Sequence, residues 1–103
     1  MDAQLKKGLL DVCVLAAIEQ EESYGYKIIA DLSPVIEISE STLYPILKRL
    51  EGAGALTTYS RAFNGRLRKY YLITGEGRRR LAEFKAAVPQ MEKVMDFILR
   101  RKI

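Results

Sequence analysis

Six cations, Lys48, Arg49, Arg61, Arg66, Arg68 and Lys69, fall in one short stretch of the chain, interleaved with Tyr59, Phe63, Tyr70 and Tyr71. Guanidinium and ammonium groups at this density suit a polyanion. Gly52 and Gly54 divide the stretch. Before them, Ser39 to Glu51 reads as a capped helix with Leu43, Ile46, Leu47 and Leu50 as its inward stripe. Ser41, Thr42, Tyr44, Pro45 and Lys48 then face outward, with Arg49 on the flank. After them, Asn64-Gly65 is a strong hairpin signal, because a type I′ turn needs positive φ at both central residues. That two-residue loop pairs Phe63 with Arg66, Arg61 with Arg68 and Tyr59 with Tyr70.

A helix with a polar, cationic outer face followed by an Arg-bearing ribbon suits duplex DNA. One element enters the major groove while the other tracks the backbone or the neighbouring groove. Ser41 and Thr42 lie near the helix's positive end, where an anion is favoured. Tyr44 offers a ring for a thymine methyl, and Lys48 reaches a guanine edge or a phosphate. Arg61, Asn64, Arg66, Arg68 and Lys69 are the ribbon contacts, giving mostly sequence-independent affinity. Like charges directly across a ladder repel, so Arg61 opposite Arg68 makes sense if a phosphate or a minor groove takes up the charge; the alternative is that both guanidinium groups splay into water.

Other chemistries find little support. The chain has no His and a single cysteine, Cys13, and it shows no Gly-rich phosphate loop or paired carboxylates. No enzyme activity, cofactor or metal is expected. Cys13 lies in an apolar helical run, so packing is preferred to redox sensing, and one cysteine fits a reducing cytoplasm. No apolar run approaches a membrane span or a secretory signal. With 49% apolar and 29% charged residues, the 103-residue chain should fold as one unit. Its net charge of +4 is unevenly spread: −5 over residues 1–47, +7 over 48–80 and +2 over 81–103. Such a distribution predicts a local polyanion-binding surface.

These elements need positioning. Asp2 caps a first helix to about Gln20, apolar around most of its circumference, which suggests a partner chain over part of it. Ser23 is expected to cap a second helix, Tyr24 to Leu32, stopped by Ser33-Pro34. Val35 to Ile38 alternates as a short strand would. Pro45 should disturb the third helix. Thr74 caps a last helix in which Leu81, Phe84, Val88, Met91, Met95 and Ile98 follow the a/d spacing of a heptad seam, with Pro89 expected to kink it. Nothing in the chain itself is expected to cover that seam, so a homodimer is predicted, with Leu5, Leu9 and Leu10 of the first helix joining it.

Helix, helix, short strand, helix, ribbon, helix is the order of a winged helix-turn-helix. The fold class is therefore mostly α with a small β-wing and a C-terminal dimerisation helix, divided as 1–74 and 75–103. Gly25-Tyr26-Lys27-Ile28, Ser39-Glu40-Ser41-Thr42-Leu43-Tyr44-Pro45 and Arg68-Lys69-Tyr70-Tyr71 running to Thr74 and Gly77 resemble the PadR-type transcriptional regulators, over about Leu5 to Ile103. The resemblance implies a homodimer on a pseudo-palindromic operator, usually a repressor, of the small subfamily. Some small relatives stack flat aromatic drugs on a tryptophan between subunits. This chain has no Trp, and Val88 stands near that place, although Phe84, Met91, Met95 and Phe97 could line an apolar cavity. Any small-molecule effector is left open. The wing also departs from the family at Leu67, where Arg or Pro is usual. The alternative reading is a winged-helix protein-interaction adaptor that does not read DNA directly.

Overall fold

In the computed structural model, which describes residues 1–102, the Asp2 carboxylate opens the first helix by accepting from the backbone N–H groups of Gln4 (2.8 Å) and Leu5 (3.3 Å). This helix, α1 (Ala3–Ala17), stops short of Gln20, with Ile18 as its C-cap. Leu10, Val14, Leu15 and Ile18 are buried along its inner side.

The second helix, α2 (Gly25–Leu32), is capped by Tyr24 and not by Ser23. Ser23 is committed elsewhere: its N–H donates to the Tyr71 carbonyl (3.1 Å), and its carbonyl accepts from the Tyr71 N–H (2.8 Å). Those two bonds make Ser23 a one-residue third strand beside the ribbon. The strand expected at Val35 to Ile38 does not form. The N–H groups of Val35 and Ile36 turn back to the Leu32 carbonyl (2.9 and 2.8 Å), so they are not available to a ladder. Ile36 and Ile38 nevertheless enter the core, while Val35 is exposed.

Helix α3 (Glu40–Gly52) buries Leu43, Ile46, Leu47 and Leu50, the expected stripe. Ser39 is its N-cap residue, yet its hydroxyl bonds to the hydroxyls of Ser41 (3.0 Å) and Thr42 (3.2 Å) and to no backbone N–H. Pro45 does not interrupt the helix. Its missing N–H would have served the Ser41 carbonyl, and Ser41 is exposed, so water can take that place. Past Gly54, at φ 77°, the chain enters the ribbon.

Strands β1 (Leu56–Phe63) and β2 (Arg66–Ile73) pair antiparallel in the register set by the Asn64-Gly65 turn, from Leu56 opposite Ile73 to Phe63 opposite Arg66. Asn64 and Gly65 have φ of 50° and 78°, as a type I′ turn demands. The Thr74 hydroxyl donates to the Gly54 carbonyl (2.5 Å) and accepts from the Gly77 N–H (3.1 Å), tying the helix start to the ribbon base.

Helix α4 (Gly75–Ile98) runs unbroken through Pro89. Its first half packs on α1, burying Leu81, and Lys85 reaches the Glu19 carboxylate at 2.9 Å. Its second half leaves Val94, Met95, Phe97, Ile98 and the following Leu99 exposed. The molecule is accordingly elongated, 56 Å by 26 Å by 21 Å.

Candidate nucleic-acid interface

Burying Leu43, Ile46, Leu47 and Leu50 turns the remaining face of α3 outward. Ser41, Thr42, Tyr44, Pro45, Lys48 and Arg49 are all exposed there. Arg49 is not free, since its guanidinium bonds to Asp11 of α1 at 2.5 Å. Tyr44 lies at the edge of the face, its hydroxyl against Gly25; a Cβ at Gly25 would collide with it.

Strand alternation splits the ribbon cations between two faces. Lys69 shares its face with Leu67 and Tyr71 and borders α3: a groove of about 330 Å³ runs between Lys69 and Tyr71 on one side and Tyr44, Lys48 and Glu51 on the other. Arg61 and Arg68 occupy the opposite face, where aromatic rings receive them. The Arg68 guanidinium lies 3.4 Å from the Phe63 ring centroid and 3.9 Å from that of Tyr24. Arg61 lies 4.4 Å from the Tyr70 centroid and 3.9 Å from the Glu22 carboxylate. Tyr59 and Tyr70 stack at 5.3 Å, and Tyr24 meets Tyr70 edge-on at 5.9 Å.

Within the chain, the Arg61–Arg68 pair is thus met by aromatic rings and, at Arg61, by a carboxylate. Arg68 rests on Phe63 and Tyr24, Arg61 on Tyr70, and Glu22 offsets Arg61. The same network moves the phenols apart. Hydrogen bonding from Arg61 holds the Tyr70 hydroxyl below the usual tyrosine range, whereas hydrogen bonding to Glu22 raises that of Tyr59. Tyr24 and Glu22 were not singled out from the sequence. Their signal is faint: an acidic turn and the repeated tyrosine of Tyr24-Gly25-Tyr26, just before α2.

Lys48, Arg66 and Lys69 remain without a carboxylate partner among the described residues. Arg66 and Asn64 stand at the exposed ribbon tip, beside a cleft of about 430 Å³ that reaches back to Tyr26 and Tyr44. Three unpaired cations on the α3 face and ribbon, with hydroxyls at the start of α3, can neutralise several anionic groups at once.

The residues expected to meet a second chain fare unevenly. Leu10 and Leu81 are buried by their own chain, Leu10 within the core beside α3 and Leu81 on the first half of α4. Leu9, Phe84, Val88 and Met91 are half-buried, and Leu5, Met95 and Ile98 are exposed. Cys13 packs against the core, and burial pushes its thiol above the usual cysteine range. Among the described residues no cluster of His, Cys, Asp and Glu could hold a metal ion, and no helix is long and apolar enough to cross a membrane.

Comparisons with known proteins agree with this architecture. The Transcriptional regulator PadR-like family matches residues 14–83. A PadR-like transcriptional regulator of Bacillus cereus has a crystal structure 33% identical in sequence, covering 97% of this chain and 100% of that one, with a TM-score of 0.84. A PadR family transcription regulator of Clostridium difficile is 32% identical, covering 89% of this chain and 99% of its own, with a TM-score of 0.82. A transcriptional regulator of Mycobacterium tuberculosis is 39% identical over 56 residues, 54% of this chain and 52% of that protein. The chain, a winged helix with one two-stranded wing, belongs to the PadR-like family of transcriptional regulators.

Proposed function

We propose that this regulator binds duplex DNA sequence-specifically as a homodimer on a pseudo-palindromic operator, and that it represses transcription. One observation carries the reading: Lys48 of α3 and Lys69 of the wing border one groove, and among the described residues neither is held by a carboxylate. In this reading α3 enters the major groove, where Ser41, Thr42, Tyr44 and Lys48 meet base edges and phosphates while Pro45 fits the groove wall. Arg66, Lys69 and Asn64 grip the backbone from the wing tip. Arg61 and Arg68 hold the wing in shape, and Arg49, tied to Asp11, contributes at the flank.

The homodimer rests on α4 and α1. Five large apolar side chains between Val94 and Leu99 are exposed, as is Leu5, an amount of apolar surface that association would remove from water. Residues 1–74 then form the DNA-binding head and 75–103 the dimerising tail. Two heads double the contacts and set the half-sites about one helical turn, ~34–36 Å, apart. Titration of labelled duplex with the purified chain over a salt series tests the DNA half. Affinity falling steeply with salt, by a slope near −0.9 per phosphate neutralised, supports it. Salt-independent or absent binding favours the adaptor reading.

A further inference from the structure

Lys6 and Lys7 are one turn before Leu10, at the i−4 and i−3 positions that share its helix face. Leu10 is buried, so this stripe of α1 is the one turned to the body of the molecule. At the lysines the stripe leaves the core and overhangs the outer flank of α3. Together with Thr42, Pro45 and Arg49 they line a groove of about 440 Å³. Neither lysine has an ion-pair partner among the described residues. Of the acids one turn away, Asp11 is occupied by Arg49 at 2.5 Å and Asp2 caps the helix.

The exposed face of α3 is therefore bordered twice. Tyr44 and Lys48 lie toward the wing groove, and Thr42 and Arg49 toward the α1 groove. A major groove has the same plan, with a phosphate strand along each wall about 12 Å apart. A helix seated in it has one strand on either side, and the wing can serve only one of them. We infer that Lys6 and Lys7 bind the sugar-phosphate backbone on the α3 flank away from the wing, so that the helix is clamped between two cationic rails. The inference rests on the reading of α3 as a major-groove element and adds a contact that reading does not contain. The partner is duplex DNA, recognised through paired phosphates and not through bases, so the contact adds affinity without selectivity.

The test compares the full-length wild type, K6Q/K7Q, K6R/K7R and Lys85→Gln on one labelled duplex over a range of potassium chloride. Removing two phosphate contacts from each protomer, four from the bound dimer, should flatten the plot of log affinity against log salt by about 3.6. K6R/K7R should keep the wild-type slope. Lys85 pairs with Glu19 just past the C-terminal end of α1, and its variant should also keep the slope. Preference among duplex sequences should be equal in wild type and K6Q/K7Q. A wild type that binds steeply while K6Q/K7Q keeps its slope overturns this contact and leaves the parent reading standing. Equal flattening per charge in Lys85→Gln overturns it too, since net charge alone would then explain the effect. A wild type indifferent to duplex DNA removes the parent reading and this contact with it.

Discussion

The guanidinium of Arg68 stacks on the ring of Phe63, 3.4 Å from its centroid, across the two strands of the wing. Both residues lie near the tip, and Tyr24 closes on the other side of the cation at 3.9 Å. The sandwich ties the ribbon to the residue that starts α2, so it fixes the angle of the wing relative to the helices. Removing Phe63 with alanine leaves every charge in place. A stacked cation contributes about 0.5–1 kcal/mol at an exposed site, so Phe63→Ala should weaken duplex binding by roughly two- to fivefold. Its salt slope should match the wild type, whereas Arg66→Gln, which removes one contact from each wing of the dimer, should flatten the slope by about 1.8. Anisotropy titrations at several salt concentrations separate the two, and a flattened slope in Phe63→Ala would contradict the assigned role.

Two glycines should respond differently to the same methyl group. At Gly77 a Cβ would run into the Ala55 carbonyl oxygen and Ile73, and backbone cannot swing aside. Gly77→Ala should destabilise the fold by about 1–3 kcal/mol, read as a lower urea midpoint at constant m-value. At Gly25 the obstacle is the end of the Tyr44 side chain, which can move. Gly25→Ala should leave the midpoint near the wild type and lower DNA affinity by displacing Tyr44. Equal losses of stability in the two variants would refute the distinction.

Ser23 is 1% exposed, and its hydroxyl has no hydrogen-bond partner among the described residues. Its backbone makes the bridge to Tyr71, which an alanine would preserve. Ser23→Ala should therefore raise stability by roughly 1 kcal/mol, by removing a buried polar atom without a partner. A clear fall in the urea midpoint would mean that the hydroxyl is satisfied after all.

Hydrogen bonds from Arg79, then from Arg80, hold the Glu76 carboxyl well below the usual glutamate range, at about 2. A carboxylate depressed on folding stabilises the native state above its unfolded pKa of about 4.3. That contribution is lost as pH falls through the window between about 4.3 and 2. Thermal melts of wild type and Glu76→Gln should differ at neutral pH and converge toward pH 2. A gap that stays constant across the window would show that the arginines do not stabilise the carboxylate.

Where local chemistry alone decides the outcome, the sequence was a good guide. Asn64-Gly65 admits one turn type, and from that the whole ribbon register follows. Leu43, Ile46, Leu47 and Leu50 admit one inward face, so the outward set on α3 was readable too. Competition between distant groups was not legible. Ser23 has the right chemistry for a cap, but Tyr71, far along the chain, claims its backbone. Val35 to Ile38 alternates like a strand, yet the end of α2 takes the N–H groups of Val35 and Ile36. Arg61 and Arg68 looked like a repulsion awaiting phosphate because the rings of Tyr24 and Tyr70 and the acid Glu22 meet them only in the folded chain. The lysines of α1 were hidden by an acidic average over their half of the chain.

Selection of bound fragments from random duplex DNA by the purified full-length chain puts the central claim at most direct risk. Paired heads, each presenting α3 beside its wing, should enrich an inverted repeat whose half-sites are centred about one helical turn, ~34–36 Å, apart. Enrichment of a single unrepeated site, or none above the starting pool, would contradict it.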